Sequence, residues 1–391
     1  VFDRTTGMPM SSGLQGTYQI TVSGVTVTIP YTCNVKRMTQ ADLDRVRDLL
    51  AKSRQENASG MPAGIGQALG QVAGAKPIAR LEEKSWGFKT LNASPDGKFL
   101  AVSTNDEVRI HEFTTGKEVD SKSMKGLEDP KAAAFSPDGK HLLIGGYEGI
   151  IRIFAVDPKG NLDSVADYAG HSSEIKAIRI LDDNQTVLSS DNKKRVRAWE
   201  IQDQKEKYSV SGIEEVIIAL GVTSDGKQGL AIDRNGSVSL FNIADGKVTN
   251  TTKVVKYFSG DHAAFSPDGT ILFLGNGQKL EILRMKSKKP PTEFEARDMV
   301  YGICICPATN EVFISTMTKV MIFDYKSEKQ VAEFAMGEAS FETRVVCTPD
   351  GRYLAAMTSA LNKQVLIFDR QNLKHDEEKV DANQKAKGKQ P

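Results

Sequence analysis

A short apolar phrase recurs seven times along the chain, and in each copy apolar residues alternate with other residues up to one terminal side chain. Alternation of this kind predicts a β-strand. The terminal residues are His111, Phe154, Trp199, Phe241, Leu283, Phe323 and Phe368. They follow one another at steps of 43, 45, 42, 42, 40 and 45 residues. Because a propeller blade occupies about 40 to 45 residues, the spacing predicts seven blades.

A second signal, a turn motif, lies between the phrases. The tetrapeptide Ser-Pro-Asp-Gly or a close variant starts at Ser94, Ser136, Thr223, Ser266 and Thr348. Proline presets φ, aspartate bonds its own backbone and glycine accepts a positive φ, as a reversal between antiparallel strands requires. Each unit is therefore predicted to hold an inner strand before the turn, a second strand after it, a third strand with the phrase and a more polar outer strand. The predicted blades span residues 81–124, 125–169, 170–210, 211–255, 256–296, 297–336 and 337–373.

Several units carry further motifs. These are Gly170 and His171 at the start of the third unit, Trp199 and Glu200 at the end of its third strand, and the pairs Phe323-Asp324 and Phe368-Asp369. Over residues 78–373 the chain resembles the WD-repeat β-propeller family, whose blades open with Gly-His and close the third strand with Trp-Asp. The resemblance implies an all-β, seven-bladed propeller of four-stranded antiparallel blades.

The third unit departs from the family pattern at its tight turn. Where the family often has a structural aspartate, this unit has Asn192, Lys193 and Lys194. We therefore expect the polar network that holds such a blade to be incomplete here. The seventh unit also lacks an outer strand of its own, and an open ring would leave two unpaired sheet edges. We expect residues 78–83 to supply the missing strand.

The segment before the propeller has a different pattern. Within residues 1–56, Tyr18, Ile20 and Val22 face Val25, Val27 and Ile29 across a Ser23-Gly24 turn, and Leu43, Val46 and Leu50 form a helical stripe. This predicts a β-hairpin followed by an amphipathic helix. The segment is either the remnant of a larger upstream domain or a part that docks on the propeller. Residues 57–77 are predicted to be a flexible Ala/Gly-rich linker, residues 78–373 the propeller and residues 374–391 a charged, disordered tail.

Composition narrows the function classes. The 51 basic and 50 acidic residues nearly cancel, so no nucleic-acid partner is expected. No apolar run is long enough to span a bilayer, and the propeller is expected to be a soluble monomer. Because the chain starts at Val1, we expect a processed product or a fragment, and its compartment is left open.

The histidines and cysteines, which are the candidate catalytic groups, are all expected to have structural roles. His111 is expected in the core, and His171 and His262 at the place of the family's structural histidine. Cys304, Cys306 and Cys347 could form a thiol cluster near the central channel, but their equivalents in other units favour packing. Those equivalents are Ala134, Gly221 and Ala264 for Cys304, and Phe135, Val222 and Phe265 for Cys347. No catalytic residue, metal site or cofactor is predicted.

Binding is the better-supported function. The loops that enter the inner strands and the tight turns before the third strands are expected to surround one mouth of the channel. The candidate binding residues there are Trp86, Lys193, Lys194, Arg195, Tyr257, Phe258, Tyr301 and Phe341. Aromatic and arginine side chains are enriched at the centres of interfaces, and the basic turn favours an acidic segment.

The sequence therefore predicts a non-enzymatic scaffold that binds a protein or peptide over the channel mouth. Two alternatives stay open. One is a propeller enzyme, or a binder of a small ligand or metal, that uses the central channel. The other is a structural domain of a larger secreted or envelope protein. Metal analysis of the purified protein discriminates the first alternative, and the full-length gene context the second.

Overall fold

The computed structural model describes residues 15–22, 25–32, 76–83, 87–255, 258, 262–287, 290–306, 308–336, 344–358 and 364–372. The chain forms two compact units, Val1–Gly70 and Gln71–Pro391. Across the described ranges, no helix has the length and apolarity that a membrane span requires.

The first unit contains an antiparallel hairpin of β1 (Gln15–Val22) and β2 (Val25–Thr32). Its register pairs Val22 with Val25, Ile20 with Val27 and Tyr18 with Ile29. This is the pairing that the alternating pattern predicts. The predicted helix, most of the predicted linker and the predicted tail lie outside the described residues, so the proposed boundaries at 56/57, 77/78 and 373/374 stay predictions.

The second unit consists of seven four-stranded antiparallel sheets, which confirms the predicted fold class. The inner strands are β4 (Thr90–Ala93), β8 (Ala132–Phe135), β12 (Ile175–Ile180), β16 (Ile217–Val222), β20 (His262–Phe265), β24 (Val300–Cys306) and β28 (Arg344–Cys347). The second strands are β5 (Phe99–Ser103), β9 (His141–Gly145), β13 (Thr186–Asp191), β17 (Gln228–Asp233), β21 (Ile271–Asn276), β25 (Glu311–Thr316) and β29 (Tyr353–Thr358).

The third strands carry the apolar phrase: β6 (Glu107–Glu112), β10 (Ile151–Val156), β14 (Val196–Glu200), β18 (Ser237–Asn242), β22 (Lys279–Arg284), β26 (Lys319–Asp324) and β30 (Gln364–Asp369). The outer strands of blades one to six are β7 (Glu118–Ser123), β11 (Leu162–Tyr168), β15 (Glu206–Val210), β19 (Val248–Lys253), β23 (Thr292–Glu295) and β27 (Lys329–Ala335). Each inner strand contacts the inner strands of both neighbouring blades, so the seven sheets form a closed ring.

The ring is closed by β3 (Ala79–Glu82), the first strand of the second unit. It forms the outer strand of blade seven, antiparallel to β30, with Ala79 opposite Ile367 and Glu82 opposite Gln364. The backbone N–H of Ile78 adds a hydrogen bond of 2.7 Å to the carbonyl oxygen of Ile367. The predicted closing strand is therefore confirmed.

The core is divided into seven apolar clusters, one at each junction between neighbouring blades. At the junction of blades two and three, for example, Ile153 of β10 packs in the same cluster as Val187 and Trp199 of blade three. The alternating strands supply both faces of each sheet, because successive side chains point to opposite sides. No blade therefore has a complete core of its own.

Blade three contains a complete polar network, so the expectation of an incomplete one was wrong. The structural aspartate is Asp191, one residue before the stretch considered in the sequence. His171 Nδ1 lies 3.1 Å from Asp191 Oδ2, and His171 Nε2 lies 2.7 Å from Ser189 Oγ. The indole N–H of Trp199 donates to the same Ser189 Oγ at 3.0 Å. One arrangement satisfies all four groups: Trp199 donates to Ser189, Ser189 to His171 and His171 to Asp191.

The Asp191 carboxylate also organises the tight turn. It accepts the backbone N–H groups of Lys193 at 2.9 Å and Arg195 at 3.1 Å. Burial favours the neutral carboxyl, but the hydrogen bonds from His171 and from the backbone outweigh it, so the pKa of Asp191 lies below its ordinary value. The network thus links the start of the blade, its second and third strands and the turn between them.

We expect deletion of the closing strand to open the ring. A chain that starts at residue 84 lacks β3 and leaves β30 with an unpaired edge, so it should aggregate or lose its cooperative unfolding transition. A chain that starts at residue 76 keeps β3 and is the matched control, expected to stay monomeric. Size-exclusion chromatography and thermal unfolding measure both. A soluble monomer that starts at residue 90 and unfolds in two states would contradict the closing role of β3.

Substitution of Ser189 by alanine should destabilise the propeller. It removes the partner of both His171 Nε2 and the Trp199 indole inside a buried site, and each loss costs about 1–3 kcal/mol. We expect Ser189→Ala to lower the free energy of unfolding by about 2–6 kcal/mol. The control is Ser224→Ala, at an exposed position in the first turn of blade four. Equal unfolding midpoints for the two variants in urea would show that the network adds no stability.

Candidate functional site

One end of the propeller carries two sets of connections in every blade. The loops that lead into the inner strands lie there together with the tight turns that join second to third strands, because the four strands alternate in direction. We call this surface the loop face. The turns that join inner to second strands lie on the opposite face.

Irregularities in the inner strands mark one position on the loop face. In blades three, four and six, one extra residue of the inner strand has no partner in the register, and these residues are Lys176, Ile218 and Tyr301. An extra residue of this kind is a β-bulge, which bends the strand and redirects a side chain. Each of the three side chains is half-buried. In each of these three blades, the bulge therefore places one side chain at the entrance to the inner strand, and its residue type differs between the blades.

Blades one and two have lysine at the same register position. The backbone N–H of Lys89 bonds the carbonyl oxygen of Ser103 at 2.7 Å, and that of Lys131 bonds Gly145 at 3.0 Å. Ser103 is also the register partner of Thr90, and Gly145 is that of Ala132. One residue of the second strand thus faces two consecutive residues of the inner segment, as at a β-bulge. We call Lys89, Lys131, Lys176, Ile218 and Tyr301 the mouth positions. Three neighbouring blades thus present lysine in equivalent places.

The three lysines are held by two carboxylates. Asp129 bridges the first two, with Oδ1 at 2.8 Å from Lys89 Nζ and Oδ2 at 3.0 Å from Lys131 Nζ. Lys176 Nζ lies 2.9 Å from Glu174 Oε2. Burial favours the neutral form of Asp129, but the two ammonium groups outweigh it and hold its pKa below the ordinary value. With three ammonium groups and two carboxylates, the cluster keeps a net positive charge.

Arg344, at the start of the inner strand of blade seven, extends the basic region. One of its guanidinium nitrogens, Nη1, donates to the carbonyl oxygen of Lys131 at 3.2 Å. Arg344 belongs to blade seven and Lys131 to blade two, so the contact passes over blade one. We call the group of Lys89, Lys131, Lys176 and Arg344 the basic arc.

An exposed aromatic side chain lies on a turn that contacts the loop that carries Asp129 and Lys131. Tyr147, in the tight turn of blade two, has 59% of its surface exposed. Its backbone N–H bonds the carbonyl oxygen of Glu128 at 2.8 Å, and the preceding Gly146 accepts the N–H of Ile175 at 3.1 Å. Gly149, with φ of 84°, lies so close to His171 that a Cβ atom there would be 2.7 Å from its backbone carbon. The turn that carries Tyr147 is therefore fixed to blade three while its side chain stays exposed.

The predicted basic turn of blade three lies next to this region. Lys193 is exposed, whereas Lys194 is paired with Glu215 of the next loop at 2.7 Å and has a positive φ of 66°. Arg195 is half-buried and donates to Ser172 Oγ at 3.1 Å. The turn is thus attached to the loop that also carries Glu174, the partner of Lys176.

Of the predicted aromatic residues, Tyr301 and Phe258 lie within the described part of the chain. Tyr301 belongs to β24 rather than to the loop before it, and its ring lies edge-on to His262 at 6.2 Å. Phe258 packs against the apolar cluster between blades four and five, beside Val255. Trp86, Tyr257 and Phe341 lie outside the described residues. Their binding roles stay predictions.

The opposite face contains a cavity of about 450 Å³ between blades three, four and five. Its lining includes Arg179, Asp182, Thr223 and Asp268. Within the described residues, the buried Nε of Arg179 has no hydrogen-bond partner. Burial lowers the pKa of this guanidinium, and the negative charge of Asp182 opposes the shift. Across the same residues, no three His, Cys, Asp or Glu side chains are placed to hold a metal ion.

The lysines of the basic arc and Tyr147 were not identified from the sequence, although a signal for the lysines was present. Lys89, Lys131 and Lys176 each stand five residues before the first residue of the turn that follows the inner strand. An alignment of the units on that turn places the three lysines in one column. Tyr147 follows a glycine pair in a tight turn, a context that gives no measure of its exposure.

Two comparisons with known proteins bear on this geometry. The family described as "WD domain, G-beta repeat" matches residues 125–154, which cover the inner, second and most of the third strand of blade two. The "Target of rapamycin complex subunit wat1" of Schizosaccharomyces pombe is 28% identical over 146 residues, which are 37% of this chain and 45% of that protein. The match thus spans less than half of the relative's length.

Proposed function

Because this chain is a seven-bladed propeller with a WD repeat, a fold that typically serves as a scaffold for protein interactions, we propose that it is a non-catalytic binding module. Its ligand is an acidic segment of a partner protein, and the binding site is the loop face over blades one to three. The observation that carries this proposal is the basic arc, in which three neighbouring blades have lysine at equivalent mouth positions.

Charge supports an acidic ligand. An ammonium group has three N–H donors, and the ion pairs in the arc satisfy one on each lysine. Each lysine can therefore donate to a ligand carboxylate without losing its own partner. The lysine side chains are only 19–32% exposed, so part of their desolvation cost is already met in the folded protein. A partly buried cation interacts more strongly with an added carboxylate than a fully solvated one does.

Tyr147 supports a peptide as the form of the ligand. An aromatic ring fixed on a rigid turn buries a large area at little entropic cost, as interface aromatics do. The turn is held by backbone hydrogen bonds on both sides, so binding need not order it. The relative in fission yeast is named as a subunit of a complex, which agrees with a role in protein assembly.

The mechanism is docking onto a preformed surface. A bulge holds Lys176 on its inner strand, backbone hydrogen bonds hold Lys89 and Lys131 at the equivalent positions, and the shared apolar clusters keep the blades rigid. Acidic side chains of the partner pair with the basic arc, and an apolar or aromatic side chain next to them covers Tyr147. Long-range attraction to the arc raises the association rate, whereas the tyrosine contact lowers the dissociation rate.

The proposal is tested with a labelled glutamate-rich peptide that contains one tryptophan, measured by fluorescence anisotropy at several salt concentrations. Replacement of Lys89, Lys131 and Lys176 together by glutamine should weaken binding about tenfold or more and flatten its salt dependence. Tyr147→Ala should weaken binding by about 1 kcal/mol or more, with little effect on unfolding.

The control variant replaces Lys98, Lys140 and Lys227 by glutamine. These exposed lysines lie in the first turns of blades one, two and four, so the change in net charge is the same on the opposite face. Equal loss in both triple variants would refute the basic arc as the binding site. Equal affinity for a lysine-rich peptide of the same length would refute the acidic ligand.

The cavity on the opposite face supports a second candidate function, binding of a small ligand. The observation in its favour is the buried Arg179 Nε without a hydrogen-bond partner among the described residues. A small-molecule thermal-shift screen with wild type and Arg179→Met measures it. Hits that depend on Arg179 and not on the basic arc would favour this function, and elemental analysis of the purified protein tests for a bound metal.

A further inference from the structure

Two thiols meet between neighbouring inner strands. Cys304 lies on β24 of blade six and Cys347 on β28 of blade seven, and their Sγ atoms are 3.4 Å apart. Both residues lie in the apolar cluster between these blades, together with Cys306, which confirms the predicted packing role. The contact corresponds to the thiol cluster that the sequence left open as the less favoured alternative to packing, although the units aligned on the turn place Cys304 and Cys347 in different columns. Neighbouring strands nevertheless bring the two columns together.

The two thiols differ in access. Cys347 is 7% exposed, whereas Cys304 is half-buried, so a small reagent reaches Cys304 first. Cys306 is fully buried, and its Sγ lies 3.4 Å from the carbonyl oxygen of Pro349. Access and the short Sγ–Sγ distance thus both single out the pair of Cys304 and Cys347.

The thiols are also coupled through hydrogen bonds. Interaction with Cys304 and Cys306, together with burial, raises the pKa of Cys347 well above its ordinary range. The hydrogen bond from Cys347 lowers the pKa of Cys306 to about 6, against the effect of burial. Cys347 therefore holds its proton and donates a hydrogen bond to its sulfur neighbours.

We propose that Cys304 and Cys347 form an oxidisable pair that a hydroperoxide converts into a disulfide between blades six and seven. The sulfur of Cys304 attacks one oxygen of hydrogen peroxide, which gives a sulfenic acid and one water molecule after proton transfer. The sulfur of Cys347 then displaces the hydroxyl group, which leaves as the second water molecule with the Cys347 proton. Two thiols are oxidised, one peroxide is reduced, and no other reactant is needed.

The geometry favours this step over further oxidation of Cys304. A disulfide requires the two sulfur atoms to approach by about 1.4 Å from their present contact. The two sulfur atoms meet between neighbouring inner strands, so rotation about the side-chain torsions can bring them together. A resolving thiol in contact with the sulfenic acid captures it before a second peroxide does. The inference is independent of the acidic ligand proposed for the loop face.

The experiment treats the reduced full-length Cys33→Ser chain with hydrogen peroxide, blocks remaining thiols with N-ethylmaleimide and maps cross-linked peptides by mass spectrometry. We expect one disulfide between Cys304 and Cys347, formed about tenfold faster in the native chain than in guanidinium chloride. Because the map is made without altering the three thiols, it does not depend on a variant that fails to fold.

Three variants complete the test. Cys306→Ser should keep the cross-link, whereas Cys304→Ser and Cys347→Ser should lose it, with circular dichroism used to check that the reduced variants are folded. Three results would overturn the proposal: a dominant disulfide that contains Cys306, oxidation of Cys304 only to sulfinic or sulfonic acid, or equal cross-linking rates in native and denatured protein.

Discussion

The antiparallel pairing of β3 with β30 is the interaction on which the rest of the propeller depends. Each apolar cluster is shared by two neighbouring blades, so a blade is stable only when both neighbours are present. β3 precedes blade one in the chain, so the ring is closed within blade seven, where the four residues of β3 pair with β30. Leu81 of this strand is buried in the cluster between those blades, which couples backbone pairing to core packing. Opening that one pair would expose the faces of two sheets.

The fold could be predicted from the sequence because the same packing requirements recur in all seven blades. Each blade needs the same alternation, turn and spacing. A weak pattern in one unit can therefore be interpreted from the other six. This is also why the closing strand could be found, since blade seven had one strand too few. The polar network of blade three was missed for a local reason. Asp191 ends a strand in the structure, whereas the family pattern led us to expect the aspartate within the turn that follows.

The candidate site was harder to predict, because a binding surface consists of departures from the repeat. The basic turn at 193–195 was found since no other unit has one. The lysines of the basic arc were missed because the sequence does not show which carboxylates pair with them across the loops. The β-bulges show why the residue type at this position can vary. The residues that follow the bulges are small, namely Ala177, Ala219 and Gly302, whereas the bulge position itself holds lysine, isoleucine or tyrosine. Packing does not determine which residue type occupies the bulge position, so a requirement for ligand binding can determine it.

The same ring of inner strands carries the basic arc and the thiol pair in separate sectors, with different mechanical consequences. The basic arc spans blades seven and one to three, where the noncovalent closure lies. The thiols join β24 to β28, two strands that are already continuous along the chain through blade six. A disulfide between Cys304 and Cys347 restricts the angle between blades six and seven, but it does not join β3 to β30. The closure depends on the pairing of β3 with β30, whereas the thiols join β24 to β28. Oxidation of the thiols can therefore change without a change in the stability of the closure.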